Sequence, residues 1–202
     1  MFSRDVVFWE VDTQKDFMLP GGKLYVPGAE KLLPRIQRLT QAARDGRVFL
    51  VSHGCFHVEN DPEFATFPPH CVKGTPGAEF VPEALTDSVV RVPNDPSTPV
   101  PQLSQFKQVL LEKQTLDVFQ SCHADEVVRQ LSPQAHFVIF GVVTEYCVRL
   151  AAKGLLDRGK KVSIVEDAIE TLAADAAVRT CNELRSLKAN FISTDQALAL
   201  LS

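Results

Sequence analysis

Short, continuously apolar runs alternate with helical patterns along this chain, and this alternation limits its fold more than any other feature. The runs at residues 6–11 and 136–142 lack the polar–apolar alternation of a strand with one wet face. Apolar residues recur every three or four positions over residues 27–44, which predicts a helix; a second helix is predicted over 145–158. Buried strands separated by helices are typical of a parallel sheet. We therefore predict an α/β protein, three-layer α/β/α, with a central, mainly parallel sheet.

Polar and reactive residues stand where four of the predicted strands end. Asp12, His53 and Lys113 close or directly follow apolar runs, and Cys147 follows the run at 136–142 after a small turn. The carboxyl ends of parallel strands meet at one edge of a sheet, where ligands bind. These side chains are therefore predicted to share one site. The alternative is that polar residues simply begin where strands stop.

The residue types at this edge suit acyl transfer to a thiol. Cys147 would lie in the first turn of a helix, where exposed amide groups favour a thiolate. A nearby Lys113 would lower the thiol pKa further, and Asp12 could accept the proton and return it to a leaving group. Backbone amides of the stretch GVVT before Cys147 could stabilise an oxyanion. The alternative for Cys147, as for any cysteine here, is an inert buried thiol.

Composition excludes several other classes of protein. The net charge of −4 gives no electrostatic footprint for nucleic acid, and no apolar run approaches the length that crosses a bilayer. The five cysteines are scattered, which argues against a disulfide framework. The first residues do not read as a secretion signal. We expect a single domain over residues 1–202, located in the cytoplasm, with neither a nucleic-acid nor a membrane partner.

Four stretches of the chain resemble the isochorismatase-like cysteine hydrolases, and among these the nicotinamidases. They are VFWEVDTQKDF, FPPHCVKGTPGAEFVP, LLEKQTLDVF and GVVTEYCVRLAAKGLLDRG, which occur in this order and span most of the chain. The resemblance implies a catalytic triad of Cys147 as nucleophile, Asp12 as acid and base, and Lys113 as electrostatic support.

The same resemblance implies how a substrate would be held. A cis peptide bond between Val143 and Thr144 would turn the Thr144 amide, with that of Cys147, toward the oxyanion. Phe17 and Phe67 match positions at which aromatic rings of the family enclose a planar substrate ring. The alternative for each phenylalanine is simple core packing.

A metal near the nucleophile is also implied, because nicotinamidases hold one with an aspartate and histidines. In the stretch VSHGCFH, His53 stands at the expected aspartate and Cys55 at the expected histidine; His57 and His70 follow. Residues 53 and 55 of an extended segment project to the same side, and imidazole with thiolate favours zinc. The predicted cofactor is a divalent metal, zinc. Four protein ligands would make it structural; alternatively, no metal binds.

The leading interpretation is a nicotinamidase-like hydrolase of linear amide C–N bonds, which releases ammonia from a small aromatic or heteroaromatic carboxamide through a Cys147 thioester. A metal-free relative acting on a carbamoyl or ureido amide is the second. A non-catalytic or redox-sensing scaffold of the same fold is the third. The resemblance further implies a homodimer or homotetramer. The proline-rich segment 93–101 departs from compact nicotinamidases.

Overall fold

A single parallel sheet of seven strands forms the centre of the computed structural model, which describes residues 5–201. The strands are β1 (Val6–Val11), β2 (Phe49–Cys55), β3 (Val89–Val92), β4 (Gln108–Lys113), β5 (His136–Gly141), β6 (Lys161–Ile169) and β7 (Asn190–Ile192). Their order in the sheet is β3-β4-β2-β1-β5-β6-β7, and every neighbouring pair is parallel. The predicted α/β fold with a parallel central sheet is confirmed.

Helices cover both faces of this sheet. They are α1 (Lys15–Met18), α2 (Leu33–Arg44), α3 (Ala124–Gln130), α4 (Arg149–Asp157), α5 (Ala174–Ser186) and α6 (Thr194–Ala199). Ile36 of α2 packs in one apolar layer with Leu50 and Phe140, whereas Leu155 of α4 packs with Trp9 in the other. Two apolar layers explain why the strands carry no polar alternation.

Strand β2 runs three residues further than the sequence pattern indicates. The prediction ended it at Ser52, but the strand continues to Cys55, which pairs with Lys113 of β4. His53 therefore lies within the strand, opposite Val11 of β1. His53 is polar, so the sequence pattern ended the strand before it. The pattern could not show that His53 and the two residues after it are buried.

The long segment between β2 and β3 has no strand or α-helix of its own, as predicted, and folds over the carboxyl edge of the sheet in short 3₁₀ turns. A single β-bridge between His57 and Val72 lies within this segment, and another between Gln14 and Phe80 ties it to the chain that follows β1. The proline-rich segment contacts the loop between β4 and α3, where the Asn94 side-chain oxygen accepts the Cys122 N–H. Between residues 5 and 201, no helix is both long and apolar enough to cross a membrane.

Candidate active site

Asp12, Lys113 and Cys147 meet at the carboxyl edge of the sheet. Asp12 directly follows β1, and Lys113 is the last residue of β4. Cys147 lies in a π-helical turn, Thr144–Val148, which follows β5 and leads into α4. Lys113 Nζ is 3.0 Å from Asp12 Oδ2 and 3.7 Å from Cys147 Sγ, and none of the three residues is more than 5% exposed. The expected convergence of an acid, an amine and a thiol is therefore present.

Asp12 remains ionised in this buried setting. Burial by itself raises the pKa of Asp12, but the Lys113 ammonium and the contact with His53 outweigh it, so that the pKa falls to about 2. Burial in turn lowers the pKa of Lys113, but the charge of Asp12 more than compensates, and that pKa lies well above its usual value. The pair is a buried carboxylate and a buried ammonium that hold each other in the charged form.

Cys147 rests as a neutral thiol. Burial and the negative charge of Asp12 raise the pKa of Cys147 well above its ordinary value, and the Lys113 charge offsets only part of this. The expectation of a lowered thiol pKa is therefore wrong for the resting site. The sequence placed a cation near the sulfur, but it did not show that the thiol would be enclosed and that Asp12 would lie beside it.

The cis peptide bond lies one position earlier than predicted, between Val142 and Val143 rather than between Val143 and Thr144. The Thr144 amide donates a 2.8 Å hydrogen bond to the Glu170 carbonyl, so it is not free to meet an oxyanion. The Val143 amide has no hydrogen-bond partner among residues 5–201. The conformation of a non-proline peptide bond leaves no mark in the residue pattern, which is why the sequence misplaced it.

A second group of buried side chains lies beside Cys147. One donor atom from each of Cys55, His57 and His70 lies within 4.8 Å of the others. His57 Nδ1 is 2.9 Å from Asp61 Oδ2, and His70 Nδ1 is 2.8 Å from the Pro68 carbonyl oxygen. Because each Nδ1 faces an acceptor, the Nε2 lone pair of each ring is directed elsewhere, as in many metal-binding histidines.

Glu63 lies next to the two histidines of this group, and the sequence analysis missed it. Its Oε1 lies 3.9 Å from His57 Nε2 and 3.8 Å from His70 Nε2. These separations are longer than a hydrogen bond, and a metal ion between the three atoms would draw them closer together. The buried His57 Nε2 has no hydrogen-bond partner in the described part of the chain, which also fits a metal ligand. The available signal was an acidic residue, in DPEF, between two predicted histidine ligands.

His53 does not join the group, contrary to the prediction that it would be a metal ligand. Its Nδ1 is 3.5 Å from Asp12 Oδ1, and its ring centroid is 6.0 Å from that of Trp9. Burial lowers the pKa of His53, and Asp12 opposes this only in part. The physical reason is the pairing of β2 with β1, which sets His53 opposite Val11 and brings its ring to Asp12.

Gln14 and Asp16, whose roles the sequence did not reveal, hold the second group in place. The Gln14 side chain donates to the Cys55 carbonyl at 2.6 Å and accepts the Cys55 N–H at 2.7 Å. Asp16 Oδ2 accepts the Cys71 N–H at 2.7 Å, beside His70. Residues from the stretch after β1 thus fix two of the three donors.

An apolar cavity opens above the two groups. Asp12, Cys55, Glu63, His70 and Cys147 contribute to its lining. The remaining lining residues are Phe17, Leu24, Phe67, Leu116, Val142, Val143, Tyr146 and Leu172. Both phenylalanines predicted to contact substrate therefore border the cavity. A cavity with aromatic walls and a few polar groups suits a small planar molecule.

Comparisons with known proteins agree with this geometry. The model of the Isochorismatase domain matches residues 7–196, and the chain belongs to this family. It is 28% identical to the nicotinamidase/pyrazinamidase of Mycobacterium tuberculosis over 191 residues, which cover 90% of this chain and 95% of that protein. The nicotinamidase of Saccharomyces cerevisiae is 27% identical, with 90% of this chain and 96% of that protein covered.

Among solved structures, the pyrazinamidase of Pyrococcus horikoshii in complex with zinc superposes with a TM-score of 0.76. It is 26% identical, and the match covers 94% of this chain and 99% of that one. These relatives confirm the prediction that the chain is an enzyme, a hydrolase of the nicotinamidase-like class.

Proposed function

We propose that this enzyme hydrolyses a small aromatic or heteroaromatic carboxamide, such as nicotinamide, to the acid and ammonia. The observation that carries the proposal is the meeting of Asp12, Lys113 and Cys147 beneath an apolar cavity bordered by Phe17 and Phe67. A flat ring fits between aromatic walls, and its carboxamide would point toward the sulfur.

The reaction would proceed in two halves. Asp12 accepts the thiol proton as Cys147 Sγ attacks the amide carbon, then gives that proton to the nitrogen, so that the C–N bond breaks and ammonia leaves. Asp12 next takes a proton from water, which attacks the thioester, and returns the proton to the sulfur as the acid departs. Lys113 keeps Asp12 ionised at the start of each half, so that Asp12 is ready to accept a proton. The free Val143 amide replaces that of Thr144 as the proposed oxyanion donor.

Zinc is the proposed metal, held by Cys55, His57 and His70, with Glu63 as a weak ligand that a substrate would displace to leave a position open. Two imidazoles, a thiolate and a carboxylate suit zinc better than manganese or magnesium. Burial raises the pKa of Cys55 to about 12, so this thiol would lose its proton only on binding the metal. When bound, the metal would supply a Lewis acid that attracts a ring nitrogen or carbonyl oxygen of the substrate.

Ammonia release from a panel of carboxamides tests the reaction. Cys147→Ala should remove turnover, whereas Cys122→Ala, which changes an exposed cysteine, should not. Trapping of an acyl group on Cys147, detected by mass spectrometry, would support the thioester. Full activity in Cys147→Ala would refute the mechanism.

Metal analysis tests the proposed ligands without relying on activity. Cobalt bound to the wild-type protein should give a thiolate charge-transfer band, which Cys55→Ala should abolish. Glu63→Ala should weaken zinc binding, by about 10–100-fold if Glu63 acts like other weak or outer ligands. Glu59→Ala, at an exposed glutamate of the same segment, is the matched control. Equal zinc affinity in both glutamate variants would exclude Glu63 as a ligand.

We also propose that the protein is cytoplasmic and that it is a homodimer or homotetramer, the assembly that the resemblance implies. Sedimentation of the purified protein tests the assembly, and a monomer at micromolar concentration would refute it.

A further inference from the structure

One residue of the cavity lining differs from the rest in its exposure. Leu172 is 44% exposed, whereas Cys147, which lines the same cavity, is 5% exposed. The other lining residues are buried or half-buried. A side chain that borders the cavity and also faces solvent must lie at its mouth, so Leu172 stands on the route from solvent to the sulfur.

The Glu145 carboxylate makes three of the hydrogen bonds that hold the segment around Leu172, and the Glu170 carboxylate accepts the Thr171 N–H at 2.9 Å. Glu145 Oε1 accepts the N–H groups of Leu172 at 3.1 Å and of Ala173 at 3.0 Å, and Oε2 accepts the Thr171 hydroxyl at 2.7 Å. Residues 170–173 lie between β6 and α5 and have no regular secondary structure. Their position therefore depends on such contacts more than on a ladder of backbone bonds.

Glu145 belongs to the same π-helical turn as Cys147. The turn also supplies Tyr146, which borders the cavity beside Leu172. Thr144 strengthens the connection, because its amide and its hydroxyl each donate to the Glu170 carbonyl at 2.8 Å. The π-helical turn that carries Cys147 thus also fixes residues 170–173, which include Leu172 at the mouth of the cavity.

We propose that Glu145 positions Leu172 as a rim at the cavity mouth, and that this rim limits the size of molecule that reaches Cys147. Glu145 is a positioning residue, and Leu172 is a specificity-determining one. The identity of the molecules selected, small carboxamides without bulky ring substituents, rests on the proposed function. The existence of the rim does not.

Alkylation of Cys147 tests the rim without any enzymatic turnover. Rates of labelling by iodoacetamide and by the bulkier N-phenyliodoacetamide are measured at one pH, with the modified cysteine identified by mass spectrometry. Leu172→Ala should raise the bulky-to-small rate ratio by about tenfold, the discrimination typical of a few methyl groups in a pocket. Leu187→Ala, at another partly exposed leucine, should leave the ratio unchanged.

Variants of Glu145 test whether its hydrogen bonds to residues 171–173, here called the tether, position Leu172. Glu145→Ala should raise the same ratio, whereas Glu145→Gln should resemble wild type, since its amide oxygen still accepts both N–H groups and its nitrogen can donate to Thr171. Glu126→Ala, at a glutamate in the first turn of α3, is the matched control. If Glu145→Ala does not fold, Thr171→Val removes one tether bond instead and should shift the ratio in the same direction. An unchanged ratio in Leu172→Ala, or equal ratios in Glu145→Ala and Glu145→Gln, would overturn the proposal.

Kinetics separate this proposal from the proposed function. With nicotinamide and a bulkier ring-substituted nicotinamide, Leu172→Ala should favour the bulky substrate mainly through a lower KM. A changed alkylation ratio without turnover of any carboxamide would support the rim and refute the proposed function. Turnover of nicotinamide with an unchanged alkylation ratio in Leu172→Ala would support the proposed function and refute the rim.

Discussion

Glu10 and Asp12 are two residues apart at the end of β1, and both are almost completely buried, yet they ionise in opposite ways. Burial raises the pKa of Glu10 to about 8, because its hydrogen bond from Ser52 at 2.6 Å is too weak to offset the loss of water. The pKa of Asp12 falls to about 2, because the Lys113 ammonium outweighs its burial. A buried acid stays neutral unless a cation is buried with it.

The neighbours of each acid match its charge. The hydrogen-bonding neighbours of Glu10 are neutral, and the Arg44 charge has only the smallest of the effects on its pKa. Gln108 donates to the Ser52 hydroxyl at 2.7 Å and to the Ala84 carbonyl at 3.0 Å. This network joins β1, β2 and β4, and Glu10, Ser52 and Gln108 are not among the residues that line the cavity. The neighbours of Asp12 are a cation and a thiol at the cavity floor. The first arrangement suits a structural acid, and the second suits a base that carries protons.

The largest contrast is expected in catalysis. Asp12→Asn removes the proton acceptor and should lower turnover by about 10²–10⁴-fold, the usual contribution of positioned acid–base transfer. Glu10→Gln makes the same chemical change two residues away and should leave turnover near that of wild type. Steady-state ammonia release measures both. Similar losses in the two variants would mean that the acids do not have separate roles.

Stability should show the next largest effect. Lys113→Met leaves Asp12 as a buried charge without a partner and should lower the free energy of unfolding by about 3–5 kcal/mol. Lys153→Met is the matched control, because Lys153 pairs with Asp157 at 3.5 Å and the two side chains are 41% and 60% exposed. That change should cost less than about 1 kcal/mol. Denaturant unfolding distinguishes them, and equal losses would contradict the view of Lys113 as the compensating charge.

The smallest effect is a dependence of stability on pH. Glu10 in the unfolded chain loses its proton near the ordinary glutamate pKa of 4.5, whereas folded Glu10 keeps its proton up to a pKa of about 8. The folded state binds more protons in this window, so the contribution of Glu10 to stability is lost as the pH rises. Glu10→Gln should remove about 3 kcal/mol of the decline between about pH 5 and about pH 8. Urea unfolding at several pH values measures it; parallel curves for wild type and variant would show that Glu10 does not titrate this way.

How far the sequence could lead is clear from individual residues. Its pattern located β1 and the end of β4, so Asp12 and Lys113 were expected at one edge. The sequence pattern ended β2 too early, because the strand continues through a polar residue. That residue, His53, is buried and pairs with the equally buried Val11 of β1. It also missed Glu63, which lies in a segment without periodicity. The single domain over residues 1–202 stays a prediction.

By itself, the amino-acid sequence determined the alternation of buried strands and helices, and with it the sheet edge that collects the acid, the amine and the thiol. These properties depend on local periodicity, which neighbouring residues carry. Tertiary structure alone decided that His53 faces Asp12, that Glu63 approaches two histidines, and that Cys147 rests protonated. Each of these depends on distances and burial set by segments far apart in the chain, and local patterns contain no information about either.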